Sequence, residues 1–318
     1  MKTAIFHYDY HNYGTYKPNC VNLGDYVQSL VAAQYFSKVD TTIDRDSLSS
    51  VSEELSVIGN GWYCIDKARH SLSDNLNFLP VAIHINNRSD DVADTVRTFA
   101  NKNGSVGCRD IATMEFLQRN GIESYFSFCL TTTLDFSKIC PLSSPEERSG
   151  IILADLDDTV DRFKVFPVNR FLSNLRRRSS SERFCRESQR ILDHYDGEKI
   201  ERTTHECSLS TTHEQRFSMA LDLLRKYASA RCVITSRIHC ALLCLALGTL
   251  VLLATKAYDE LRYRGLDSFL NHIFIDQEGR VSQNIETLHN EIVNSYEFRS
   301  YANSLRQRCT EFVNVVES

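Results

Sequence analysis

Arg237 and His239 stand two residues apart, directly after the apolar run Cys232 to Thr235 and at the start of a second apolar stretch that ends at Gly248. The pattern reads as a buried strand, a tight polar turn and a short buried helix. The first N–H groups of a helix lack intrahelical partners, and its dipole adds positive potential, so a helix mouth favours an anion. An arginine fork grips two oxygens of a phosphate or carboxylate at once. A histidine beside it can give or take a proton near neutral pH. Ser236 is the expected N-cap. Other polar side chains also fall where apolar runs end: Asn60 and Trp62, Arg109, and His205. Asn22, Gly24 and Asp25 sit where a first loop enters its helix.

The elements that must position these residues alternate. Thr3 to Tyr8 reads as a strand, and Leu23 to Phe36 as a helix with Val27, Leu30 and Val31 on one face. Leu55 to Ile58 and Val81 to Ile85 are further strands, and acidic residues open a helix over Asp90 to Ala100. Ser105 to Gly107 leads through Cys108-Arg109-Asp110 into a helix that stops near Asn120-Gly121. Cys140 to Glu147 holds two of the five prolines and reads as a linker. The alternation then restarts: Gly150 to Asp155, a weaker strand at Lys199 to Thr203, a helix over Glu214 to Ala230, the Arg237 segment, and a strand at Leu250 to Leu253. Residues from about Asn284 to Val315 read as helical and are expected to pack back on the first domain. The expectation is an α/β fold of two Rossmann-like domains, residues 1–143 and 144–318, facing across a cleft. Open parallel sheets bind ligands outside the carboxyl ends of their strands, where the polar residues named above fall.

Composition narrows the function. The chain has 318 residues, 42% hydrophobic and 24% charged, with a net charge of −5. That balance fits a globular protein and argues against a general nucleic-acid binder. Gly248-Thr249 interrupts the apolar stretch 238–254, which therefore reads as helix plus strand rather than a membrane span. The N-terminus meets Asp9 too soon for a signal peptide. The eleven cysteines form no CxxC pair and read as buried thiols, Cys108 included. No Cys/His set has zinc spacing. His7 and His11 lack a third ligand, so no metal is expected.

The chain resembles the polysaccharide pyruvyl transferase family. The resemblance rests on Val233-Ile234-Thr235-Ser236-Arg237-Ile238-His239-Cys240-Ala241 with Ala246-Leu247-Gly248-Thr249. Asn22-Leu23-Gly24-Asp25, Ile58-Gly59-Asn60-Gly61-Trp62, Gly107-Cys108-Arg109-Asp110 with Leu117 and Gly121, Ser127-Phe128-Cys129-Leu130-Thr131, and Thr204-His205 precede it in the family's order. One departure is Leu250, where the family commonly has proline. The resemblance implies a GT-B-like fold and transfer of pyruvyl from phosphoenolpyruvate onto two hydroxyls of a sugar, forming a cyclic ketal. It makes the first domain the acceptor side and the second the phosphoenolpyruvate side. Arg237 and His239, with Arg109 as a second cation and Ser236 beside them, would hold the donor. His239 would supply the proton, and Asp25 or His205 would act as base. Asn22, Asn60 and Trp62 would serve substrate binding. No cofactor beyond the donor substrate is implied.

The implied acceptor is a capsule or exopolysaccharide sugar, free or lipid-linked, met in the cytoplasm or at the inner face of the membrane, with at most peripheral membrane association. Two other functions fit the same frame: a GT-B glycosyltransferase using a nucleotide sugar, and a non-catalytic glycan-binding member. The run Arg176-Arg177-Arg178 reads as a solvated face rather than a diphosphate site, because Glu182 and Glu187 interleave with further arginines. Asp155-Leu156-Asp157-Asp158 reads as solvated loop carboxylates.

Overall fold

A computed structural model describes residues 1–9, 20–63, 71–138, 144–155, 197–255, 261–275, 281–283 and 292–318. The linker positions 140–143, His11, the Arg176 cluster, Asp157 and Asp158 lie outside the described residues. The chain divides into two compact units. The first comprises Met1–Pro141, Glu206–Leu224 and Glu297–Ser318; the second comprises Leu142–His205 and Arg225–Tyr296.

In the first unit, β1 (Lys2–His7), β2 (Cys20–Asn22), α1 (Leu23–Ala33), β3 (Thr41–Asp44), β4 (Leu55–Tyr63), β5 (Leu76–Ile85), α2 (Asp90–Asn103), β6 (Val106–Cys108), α3 (Ile111–Arg119) and β7 (Ser124–Phe126) follow in chain order. Six of these strands form a parallel sheet in the order β3-β1-β4-β5-β6-β7. The inner strands are apolar along nearly their whole length, as expected of strands covered on both faces. β4 runs further than the sequence suggests because Gly59 and Gly61 continue the strand rather than end it, and β5 starts earlier, at Leu76, paired with Leu55 of β4. The Phe78 ring lies 1.9 Å from where a Cβ on Gly59 would sit, so only glycine fits there. The register slips between Gly59 and Gly61, and the extra residue is taken up in β5, where Ala82 has φ 52°. This bulge directs Trp62 and His84 as the two strands reach their carboxyl ends.

The second unit contains β8 (Ile151–Ala154) and β9 (Ile200–Thr203). The chain then returns to the first unit through β10 (Glu206–Ser208), which pairs antiparallel with β2. The division between units falls inside α4 (His213–Ser229). Next come β11 (Cys232–Thr235), α5 (Ile238–Leu247), β12 (Leu250–Thr255), β13 (Asn271–Ile275) and β14 (Val281–Gln283). The sheet order is β9-β8-β11-β12-β13-β14, with five parallel strands and β14 antiparallel. Ile151, Leu153, Ile234, Leu252 and Ile273 pack as one core cluster across neighbouring strands. α5 has eight of its ten residues buried, which explains its lack of a polar face. It ends at Gly248, whose φ of 68° is open to glycine at little cost.

Mixed α/β architecture with parallel sheets is therefore present in both units. One helix is shorter than its sequence suggests. α6 (Phe298–Glu317) begins only at Phe298, and residues 292–296 are not helical. The reason is Asn294, which accepts from the Val251 N–H at 3.1 Å and donates to the Thr249 carbonyl at 2.7 Å. These bonds tie the segment to the start of β12. α6 itself belongs to the first unit.

Candidate functional site

In the second unit the sequence candidates gather around a residue the sequence reading set aside. Asp155 ends β8 in a left-handed conformation, φ 56°, which aspartate adopts more readily than most residues. Its Oδ1 accepts from the Thr204 hydroxyl at 2.6 Å. Its Oδ2 accepts from the His205 backbone N–H at 3.0 Å and from Arg237 Nε at 3.0 Å. The Ser236 hydroxyl donates to its carbonyl at 3.0 Å. The side chain is 4% exposed, so Asp155 is not a solvated loop carboxylate. Burial raises its pKa, but Arg237, His205 and Thr204 outweigh that and hold the carboxyl below its ordinary value.

This corrects the local picture at the helix mouth. The N-cap of α5 is Arg237 rather than Ser236, and no side chain caps the helix. The Arg237 N–H is turned back onto Thr235 Oγ1 at 3.0 Å. Among the described residues no side-chain cap closes the first turn of α5, and Arg237 is fixed beside it through Nε. His239 lies in the first turn, half-buried. His205 is buried; its Nε2 meets the Tyr227 hydroxyl at 2.6 Å, and the two rings stack at 5.7 Å. Its Nδ1 is buried with no hydrogen-bond partner.

The first unit holds the remaining candidates. Asn22 caps α1, its side chain accepting from the Gly24 N–H at 3.1 Å. Asp25, in the first turn, accepts from Gln28 Nε2 at 3.3 Å, and Asn60 donates to the Gln28 carbonyl at 3.4 Å. Gln28 thereby links Asp25 and Asn60. Asn60 is fully buried, and its Oδ1 has no partner. A second group lies at the ends of β4, β5 and β6. Trp62 meets His84 edge-on at 6.0 Å, and His84 Nδ1 lies 2.6 Å from Asp110 Oδ2. Asp110 also caps α3 by accepting from the Thr113 N–H at 2.9 Å. Burial first, and then the Arg109 charge, push His84 down to about 4, so it is neutral at pH 7. Arg109 is itself buried, at 2% exposure.

Sequence reasoning missed Asp155 and His84. Asp155 carried a usable signal, because it is the first polar residue after a buried strand. His84 did not, since it sits inside an apolar run.

Of the comparisons with known proteins, the family model bears on the resemblance. No match is found among curated proteins. One solved structure, of an uncharacterized protein from Klebsiella pneumoniae subsp. pneumoniae NTUH-K2044, is 15% identical, with a TM-score of 0.43 over 82% of this chain and 87% of that one. No helix among the described residues is long and apolar enough to cross a membrane. The polysaccharide pyruvyl transferase family model matches residues 22–252, which include the Asn22 cap, the Gly59–Trp62 end of β4, His205 and the α5 mouth. The chain belongs to the polysaccharide pyruvyl transferase family.

Proposed function

We propose that the protein transfers the pyruvyl group of phosphoenolpyruvate to two hydroxyls of a sugar, releasing phosphate and leaving a cyclic ketal. The observation that carries this is the uncapped α5 mouth with Arg237 locked beside it by Asp155. A compact phosphate-carboxylate ligand suits it: the helix N–H groups and the guanidinium supply fixed positive potential that need not reorganise during reaction. His239, half-buried in the first turn, gives its proton to the methylene carbon of the donor. A sugar hydroxyl attacks C2, phosphate departs with the electron pair of its C–O bond, and a second hydroxyl closes the ketal. Asp25, on the acceptor side, takes the proton of the attacking hydroxyl, and the proton of the second hydroxyl returns to His239. Buried His205 is a positioning residue that helps keep Asp155 ionised. The GT-B-like division implied by the resemblance belongs to this proposal, with the donor on the second unit and the acceptor on the first.

Phosphate release from phosphoenolpyruvate across a panel of saccharide acceptors, free and lipid-linked, tests the reading. His239→Ala is expected to lower kcat by about 100-fold or more, and Arg237→Ala to act chiefly on KM for the donor. Acceptor-dependent release of a nucleotide from a nucleotide sugar, with phosphoenolpyruvate inert, would replace this reading with glycosyl transfer.

A further inference from the structure

We propose that the first unit carries a binding site for a divalent transition-metal ion of the zinc type, formed by His7, Asp9 and His213. The three ligand atoms, His7 Nε2, an Asp9 carboxylate oxygen and His213 Nε2, all lie within 4.8 Å of one another. His7 ends β1, Asp9 follows two residues later, and His213 opens α4. The sequence shows only the first of these as a candidate, because the second histidine arrives from a helix about two hundred positions away. The site therefore stands against the expectation of a protein without metal.

A hydroxyl partner on the outer ring nitrogen of each histidine leaves Nε2 facing Asp9. His213 Nδ1 lies 2.8 Å from the Tyr26 hydroxyl. That hydroxyl donates to the Tyr8 carbonyl at 3.2 Å and accepts from Arg216 Nη1 at 2.9 Å. Arg216 Nη1 places its other hydrogen on the same Tyr8 carbonyl at 3.1 Å, so its 3.4 Å approach to His213 Nδ1 is the weakest of its contacts. The Tyr26 hydroxyl can accept from Nδ1 of His213 as well as from Arg216, which is the tautomer a metal ligand needs. Nε2 is then a bare lone pair facing Asp9 Oδ1 at 3.3 Å, acceptor against acceptor. His7 repeats the arrangement, with Nδ1 on Thr42 Oγ1 at 3.0 Å and Nε2 3.9 Å from the same carboxylate oxygen.

A cation resolves this arrangement. Ligand bonds of about 2.0–2.1 Å in a tetrahedral zinc site put neighbouring donor atoms about 3.3 Å apart, which is the His213–Asp9 separation. A charge-assisted N–H···O bond would close to about 2.8 Å. Two nitrogens and one oxygen select zinc-type ions over magnesium or calcium, which prefer all-oxygen shells. Tyr26 and Thr42, holding the outer ring nitrogens, are the supports such a site requires. Asp9 is 48% and His213 33% exposed at the side chain, so an ion can enter and a fourth, water-held position stays open. The inference does not rest on pyruvyl transfer.

Zn2+ titration of chelator-treated protein, followed by calorimetry, tests it, with Co2+ absorption as a second readout. One ion per chain is expected. Asp9→Asn, half exposed and nearly isosteric, should weaken binding at least tenfold. Tyr26→Phe should weaken it by about 10–100-fold, and Mg2+ should give no heat. Circular dichroism checks that each variant folds. The proposal is overturned if Zn2+ does not bind, if Asp9→Asn binds as wild type does, or if cobalt spectra show thiolate ligands from the cysteines instead.

Discussion

Asp155 is the residue around which the second unit's candidate site is built. One carboxylate holds the backbone ahead of β10, the hydroxyl of Thr204 and the guanidinium of Arg237 at once. Asp155→Asn removes the charge but keeps the shape, leaving a part-buried guanidinium without its anion. A loss of about 3 kcal/mol in unfolding free energy is expected, together with a higher KM for the donor. Because the folded carboxyl titrates below its unfolded value near 3.9, its contribution is fully present above that pH. It is lost as pH falls through the lower folded value. Denaturation profiles of wild type and variant should therefore converge below about pH 3.9, and a constant gap down through that range would contradict the account. The placement of Arg237 and His239 at the start of α5 was legible in the sequence, because charge at the entry of an apolar helix demands an explanation. Asp155 was not weighed correctly, because carboxylates after a strand usually face water. Only the left-handed turn brings this one under its neighbours. His213 shows the other limit: its partners lie in remote segments, which no local pattern reveals.

At the level of elements, the short apolar strands β8 and β11 were readable, since they are buried along their whole lengths and have clear ends. β4 was cut short in the sequence reading because glycines usually mark turns, and β5 because a proline such as Pro80 usually breaks a strand. Here Gly59 clears the Phe78 ring and Gly61 accommodates the bulge. Gly59→Ala should shift the β5 backbone at the point where Trp62 and His84 are aimed. An overpacking cost of about 1–3 kcal/mol is expected in chemical denaturation, with a change in the near-UV signal of the single tryptophan. The three-residue pair β2 and β10 carried too little periodicity to be found. The helix expected from residue 284 failed between 292 and 296 because Asn294 answers backbone groups of β12.

At the scale of the whole molecule, the first unit is discontinuous: its sheet is made early in the chain, while α4 begins and α6 completes it. Leu305, Cys309 and Val313 line the buried stripe of α6, and Phe298 and Tyr301 stack on Phe128 at 6.4 and 5.9 Å. Leu305→Ala should cost about 2–5 kcal/mol. Pulse proteolysis should find the cleavage it promotes within residues 1–138, with the second unit's strands remaining protected. The same arrangement bears on synthesis. Chain emerging from a ribosome finishes most domains amino end first. Here the second unit has all of its segments in hand before Phe298 leaves the exit tunnel. The earlier-made half must wait with Phe126 and Phe128 uncovered, so its exposure to chaperones during translation is written into the order of its parts.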